Sequence, residues 1–363
     1  MTAARHAERP ENPNAVTAPR TNALGQVLVV GGTGFIGSAV LRELLRSRRS
    51  PDDGPRPRVL SRGAQPTAGT DRIRHVVGDL TEPASLEGIC SGVDTVVHAA
   101  SYVGRDPQQC RAVNHMGTRA LLDEARRQGV RHFVYVSTAS VYGMGPQRGP
   151  REGQVRPAPV SPASTTRLRA EDEVRAEGGI VLRPHLVYGA GDRWFVPTLA
   201  RLLRQVPSWP APATARSSVI AVEDLARVVV ALAGQPGGGE TYHVADPRPL
   251  SMHRLCARMR VLLRLPEAQR ISLEDHRSLV RSAMPELSDH QYALLTEDNW
   301  FDTDRVWRRT GLNPGPGFED RFAACASWYA RHLHAGVRRK QTGSPAGNGS
   351  TASARGRTAP ARS

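Results

Sequence analysis

The sequence predicts an α/β fold: a Rossmann-type doubly wound parallel sheet with a smaller, mostly helical substrate-binding part towards the C-terminus. Three observations carry this reading. A short apolar run enters a glycine-rich turn and then an amphipathic helix within the first 50 residues. Further short apolar runs recur along the chain with helical stretches between most of them. Beyond residue 250 the apolar residues take helical spacing, as at Leu255, Met259 and Leu262.

The first run, Val27–Val30, is too short and too β-branched for a helix and reads as a buried parallel strand. The turn Gly31-Gly32-Thr33-Gly34-Phe35-Ile36-Gly37 follows, and then a helix with Val40, Leu41, Leu44 and Leu45 on one side. Glycines at 31, 34 and 37 let the backbone turn sharply and approach a pyrophosphate. The phosphates then rest on the N–H groups of the helix N-terminus. Later strands are expected at Arg58–Ser61, Arg74–Gly78, Thr95–Ala99, His132–Ser137 and Ile180–Pro184, with helices at Pro107–Gln128 and Thr165–Glu177. That alternation places a ligand at the carboxyl ends of the strands.

The chain of 363 residues divides into three parts by composition. Residues 1–24 and 336–363 are rich in Pro, Ser, Gly and Ala and are expected to be disordered. Residues 25–335 form one globular unit: a dinucleotide-binding part at about 25–184 plus 217–246, and a substrate part at about 185–216 and 247–335. The net charge of +15 is uneven, with +6 in the basic tail, +1 in the N-terminal segment and the rest spread as single arginines. This distribution argues against a nucleic-acid partner for the folded part. Cys90, Cys110, Cys256 and Cys325 form no Cys-x-x-Cys pair, which argues against a metal site and a disulfide framework. No signal-like or membrane-length apolar run is present, so a cytoplasmic protein with no membrane partner is expected.

The end of the second strand bears on the cofactor. A carboxylate there accepts from a ribose 2′-hydroxyl, whereas an arginine pairs with a 2′-phosphate. The sequence offers Ser61 and Arg62, and the nearby Asp52 and Asp53 precede the strand in a Pro/Gly-rich loop. NADP(H) is expected over NAD(H).

Nine stretches in order along the globular part carry a family resemblance: GGTGFIG, VVGDLTEP, DTVVHAAS, VNHMGTRALLDEA, FVYVSTASVYG, LRPHLVYGAGD, VIAVEDLA, TYHVAD and WFDTDRVWRRTGLNPGPGFED. Together they resemble the extended short-chain dehydrogenases/reductases, the group of the nucleotide-sugar epimerases and dehydratases. The resemblance implies that Asp79 and Leu80 flank an adenine and that Ala99, Ala100 and Ser101 line the cofactor groove. It also implies cofactor contacts or support from Asn114, Val136, Ser137, Arg167, Pro184, His185 and Val187.

The family's catalytic set is a Ser or Thr, a Tyr, and a Lys four residues after the Tyr. Thr138 fills the first place. The next two fall in Ser161-Pro162-Ala163-Ser164-Thr165-Thr166-Arg167, where Ala163 replaces the tyrosine and Arg167 the lysine. The only lysine in the chain is Lys340, so no tyrosine has a lysine four residues on.

Losing a general acid costs about 10² to 10⁴ in rate, whereas a reactive pose is worth about 7–11 kcal/mol. Reduction of a ketone therefore survives if something protonates the alkoxide. Thr138, His185 and a hydroxyl of the substrate itself are the three candidates, and the substrate is favoured. The pattern is similar to that of atypical NADPH-dependent ketoreductases acting on aromatic polyketides of the angucyclinone kind in antibiotic biosynthesis. An aromatic, multi-ring ketone is the expected small-molecule partner, with Trp194 and Phe195 as its walls. A non-catalytic NADP(H) sensor and an atypical epimerase or dehydratase are the rival readings, and the oligomeric state is monomer or homodimer.

Overall fold

The computed structural model describes residues 24–48, 54–63 and 72–341, with side chains as far as 333. Its main sheet has seven strands: β1 (Val27–Val30), β2 (Arg58–Ser61), β3 (Arg74–Val77), β4 (Thr95–His98), β5 (His132–Val136), β6 (Ile180–Pro184) and β7 (Thr241–Val244). They lie in the order β7-β6-β5-β4-β1-β2-β3, and every pair is parallel. Both faces of the sheet are covered, which is why β1, β4 and β6 are buried along their whole length, the polar Thr95, His98 and Arg183 included. The chain reverses its direction of growth between β1 and β4. Their carboxyl ends therefore open a crevice, the place where such sheets bind ligands.

Helix α1 (Phe35–Arg46) leaves β1 through the glycine turn and packs on Val222–Ala233 across one face. On the other face α2 (Gly117–Arg127) and α3 (Pro162–Ala176) pack on β4, β5 and β6 through Leu121, Leu122, Ala170 and Val174. The segment before α2 departs from a single helix. A short helix Pro107–Cys110 runs into a π-turn at Arg111–Met116, and α2 begins only at Gly117. Helix α3 starts at Pro162, three residues earlier than expected, because Ser161 and Ser164 close a reciprocal capping box.

The C-terminal part has its own core. Phe195–Gln205, Met252–Leu263, Leu273–Ala283, Asp289–Thr296 and Phe318–Gln341 supply Leu199, Met259, Val280, Leu295 and Phe322 to it. The helical spacing expected beyond residue 250 resolves into several helices, the first three running from Met252 to Thr296 with a short strand among them, Gln269–Ser272, paired parallel to Ser208–Ala211. The long last helix crosses residue 336 and runs to Gln341, while residues 342–363, with most of the basic tail, lie outside the described residues. Among the described residues no helix is long and apolar enough to cross a membrane. The four cysteines are buried and free.

Candidate active site

The glycine turn is shaped by close backbone approaches. A Cβ on Gly37 would lie 2.2 Å from the Gly31 carbonyl oxygen, and one on Gly31, at φ +85°, would lie 2.6 Å from the Ala100 nitrogen. Only glycine allows the β1 loop, the β4 loop and the first turn of α1 to meet this closely. Thr33 and Gly34 face outwards, while Phe35 and Ile36 are half-buried at the start of α1. The N-terminus of α1 has no side-chain cap and no acidic residue in its first turn. Its N–H groups and dipole are left for an anion.

Along the groove the loops after β4 and β5 present Ala99, Ala100, Ser101, Ser137 and Thr138. The hydroxyls of Ser101 and Ser137 and the Nε of Arg167 are buried without partners. Buried polar atoms are rarely left unmade, so these donors and the glycine cradle together fit a dinucleotide laid across the strand ends. At the far end of the groove Ser61 is buried and donates to the Gly63 carbonyl at 2.9 Å, and Arg62 is exposed. The Asp79 carboxylate accepts from the Thr81 N–H and hydroxyl, both at 2.8 Å. Its acidity is strengthened first by that N–H and to a lesser degree by the nearby Arg62 charge. Asp52 and Asp53 lie outside the described residues.

Several expected site residues take other roles. Leu80 packs its side chain into the core against Gly117 and leaves Asp79 as the polar group on that side. Asn114 stands behind the groove rather than in it. Its amide oxygen accepts from the Tyr102 N–H at 2.7 Å, and its amide nitrogen donates to the Tyr102 carbonyl at 2.9 Å and to the Thr166 hydroxyl at 3.2 Å. It lies on the π-turn, a widening common at functional sites, and it ties the β4 loop to α3. Phe195 is 1% exposed and belongs to the C-terminal core, so it cannot wall a substrate. Asp192 caps this helix through the N–H groups of Trp194, Phe195 and Val196, and the cap turns Phe195 inwards and leaves Trp194 half-buried.

The positions expected to be catalytic are now explicit. Thr138 caps the turn Ala139–Tyr142, its oxygen accepting from the Ser140 N–H at 3.1 Å, so its own O–H stays free to donate. Ala163 stands on the first turn of α3 and offers only its carbonyl, which accepts from the Thr166 hydroxyl at 3.1 Å. Arg167 reaches under the groove and donates to the Val136 carbonyl at 2.9 Å. Pro184 closes β6 and His185 follows it, while Val187 pairs with Ile220 in a small parallel ladder. Burial pushes the His185 imidazole down to about 3, with a further contribution from His290. A neutral imidazole at physiological pH does not act as a general acid, which removes His185 as the proton donor. His290 itself, on Asp289–Thr296, was not signalled by any local motif.

Beneath the site, Arg183 on β6 binds Glu171 on α3 through its Nε and Nη2, and donates from Nη1 to the Tyr142 hydroxyl at 2.8 Å. That hydroxyl also meets His243 Nε2 at 2.5 Å. A separate cavity of about 430 Å³ opens beside this network, lined by Glu152, Arg175, Arg183, Glu240 and Arg305. Its arginines are engaged, Arg183 by Glu171, Arg175 by Asp172 and Arg305 by the Tyr242 ring. It is an ion-paired cleft apart from the groove.

The profile of the NAD dependent epimerase/dehydratase family matches residues 27–245. The chain belongs to this family. It is 26% identical to a dTDP-glucose 4,6-dehydratase of Streptomyces niveus over 330 residues, covering 84% of this chain and 92% of that one. It is 31% identical to a ceramide reductase of Caulobacter vibrioides over 222 residues, 60% of this chain and 63% of the relative. A 2-alkyl-3-oxoalkanoate reductase of Stenotrophomonas maltophilia is 27% identical over 257 residues, 63% of this chain and 73% of the relative. The chain thus spans under two thirds of the ceramide reductase. The solved epimerase Mth375 of Methanothermobacter thermautotrophicus superposes with a TM-score of 0.70 at 19% identity, covering 90% of this chain and 99% of that one. The family is thus one of pyridine-nucleotide enzymes, and its fold is the one seen here.

Proposed function

We propose that this family member is a ketoreductase that uses NADPH to reduce a ketone of an aromatic, multi-ring natural product of polyketide type, as a tailoring step in antibiotic biosynthesis. One observation carries the reading: the close glycine turn after β1 accompanies a well-capped α3 that holds Ala163 and Arg167 where the resemblance expects Tyr and Lys. Starting from an alcohol requires a base of tuned pKa, and burial lowers the proton affinity of the two imidazoles near the strand ends, His185 and His290. Reduction needs only pose and a proton. Two of the relatives are named as reductases. Arg62 beside Asp79, with no acid at the end of β2, supports NADPH over NADH.

The nicotinamide, when bound, supplies the hydride. Ser101, Ser137 and the Arg167 Nε supply donors to hold it. Arg167 carries a guanidinium, which exchanges no proton in proteins. Thr138 donates a hydrogen bond to the carbonyl oxygen and polarises it. The proton comes from a hydroxyl beside the ketone: as the carbon gains hydride, the alkoxide oxygen takes the hydroxyl proton, and water reprotonates the oxygen left behind.

The test uses NADPH deuterated at C4, each face in turn, with aromatic ketones and their methyl ethers. Deuterium on the carbinol carbon of the hydroxyl-bearing ketones alone is expected. Equal labelling of the methyl ethers would refute the substrate-derived proton, and NADPH binding without label in any ketone would refute the reductase.

A further inference from the structure

We propose that His290 is a specificity-determining residue that accepts a hydrogen bond, through Nε2, from a substrate hydroxyl remote from the reacting ketone. The proposal rests on the reductase reading above and names a feature of the substrate that reading does not contain.

His185 directly follows β6, at the strand ends where the crevice opens, and His290 on the helix Asp289–Thr296 lies beside it. The two are near enough that a charge on His290 weakens proton binding at His185. Phe301 marks the same place, with its ring 5.8 Å from His185 and stacked at 5.2 Å on Tyr142. Met144, two residues beyond Tyr142, is 47% exposed and meets His290, its Sδ 3.3 Å from Nδ1. Both imidazoles have a buried Nε2 with no partner.

The thioether settles the tautomer. Sulfur in methionine carries no proton and can only accept, so Nδ1 of His290 is the protonated nitrogen. Burial lowers its pKa and keeps the ring neutral, and a neutral ring with Nδ1–H has a bare lone pair on Nε2. That lone pair is buried and unmatched, and the partner it lacks is a donor. On this proposal that acceptor serves a substrate hydroxyl, as the donating hydroxyl of Thr138 serves the ketone. A ligand that fits carries a ketone at one end and an O–H donor further along its rings.

The probes are emodin, whose ring hydroxyls flank a ketone and which has one remote hydroxyl, and physcion, its ether at that remote position alone. Affinities are measured for the full chain loaded with NADP⁺ and labelled with ¹⁵N-histidine. Emodin is expected to bind about three- to tenfold tighter than physcion, the worth of one neutral hydrogen bond. The His290 Nε2 resonance is expected to move with emodin and stay with physcion. His290→Phe should erase the preference and His290→Gln, which keeps an acceptor, should retain part of it. The resonance test on the unaltered chain stands even if His290→Phe does not fold. Equal affinities with an unmoved His290 signal would overturn this inference and leave the reductase intact. If neither probe binds, the aromatic substrate fails and the inference falls with it.

Discussion

Replacing Glu171 with glutamine tests how the site is braced. Glu171 is fully buried and Arg183 is 6% exposed, and the guanidinium donates to the carboxylate from Nε at 3.0 and 3.1 Å and again from Nη2. Glutamine keeps the shape but removes the charge, so a guanidinium remains buried and uncompensated. Removing one partner of such a pair costs about 3–5 kcal/mol. For a folded unit of about 310 residues that is a fall in Tm of roughly 5–8 °C, read by calorimetry. The double change Glu171→Leu with Arg183→Met removes both charges and should stay within about 2 kcal/mol of the parent chain. The pair also ties α3, which bears Arg167, to β6, which ends at Pro184 just before His185. Reduction should therefore weaken in Glu171→Gln at temperatures where the fold is intact. A single change costing under about 1 kcal/mol, or a double change costing more than the single, would refute the reasoning.

Gly37→Ala places a Cβ 2.2 Å from the Gly31 carbonyl, a backbone atom that cannot yield alone. NADPH affinity should drop by about a hundredfold in a fluorescence titration, and a drop below threefold would show the cradle to be elsewhere. Arg62→Ala should lower the preference for NADPH over NADH by about tenfold, and an unchanged ratio would remove Arg62 from 2′-phosphate recognition. Burial pushes His98 down to about 3 and His243 to about 4, below an unfolded value of about 6.5. The unfolded chain therefore binds protons that the folded one refuses. Their contribution is complete above about pH 6.5 and is lost as pH falls towards 3–4, at about 2 kcal/mol each by pH 5. Equal urea midpoints at pH 7.5 and pH 5 would contradict this.

What the sequence revealed and concealed follows the range of each interaction. The first six strands of the main sheet and the glycine turn are local, and the sequence places them to within a residue, whereas β7 and the short strands outside the main sheet carried no such local signal. Gly78, Ala99 and Ser137, expected as last strand residues, each still donate one hydrogen bond to the neighbouring strand before the chain turns into the groove. The π-turn was illegible because its cause lies elsewhere: Asn114 must meet both main-chain groups of Tyr102 twelve residues away. Phe195 looked like a wall because no local pattern shows which way the Asp192 cap turns the helix. His290 lies 105 residues beyond His185 in sequence, and only the packing of the last helices brings the two together. The buried Arg183–Glu171 pair was equally silent, since both residues occupy stretches that read as ordinary strand and helix.

The missing dyad acquires a different meaning once α3 is seen in place. Its first turns have not decayed: Ser161 and Ser164 cap them, Thr166 binds back to the Pro162 and Ala163 carbonyls, and Asn114 binds Thr166. Arg167 props the Val136 carbonyl just before Ser137 and Thr138. A surface freed of function would not need a buried strut of this kind, because each buried polar group in it demands a partner. On the proposed reading the helix keeps the part of the chemistry that depends on position and gives up the part that depends on a titrating side chain. The first is worth about 7–11 kcal/mol and the second roughly 3–5. A substrate that brings its own proton replaces the smaller quantity, so a reductase can lose the tyrosine and lysine together while its groove remains intact.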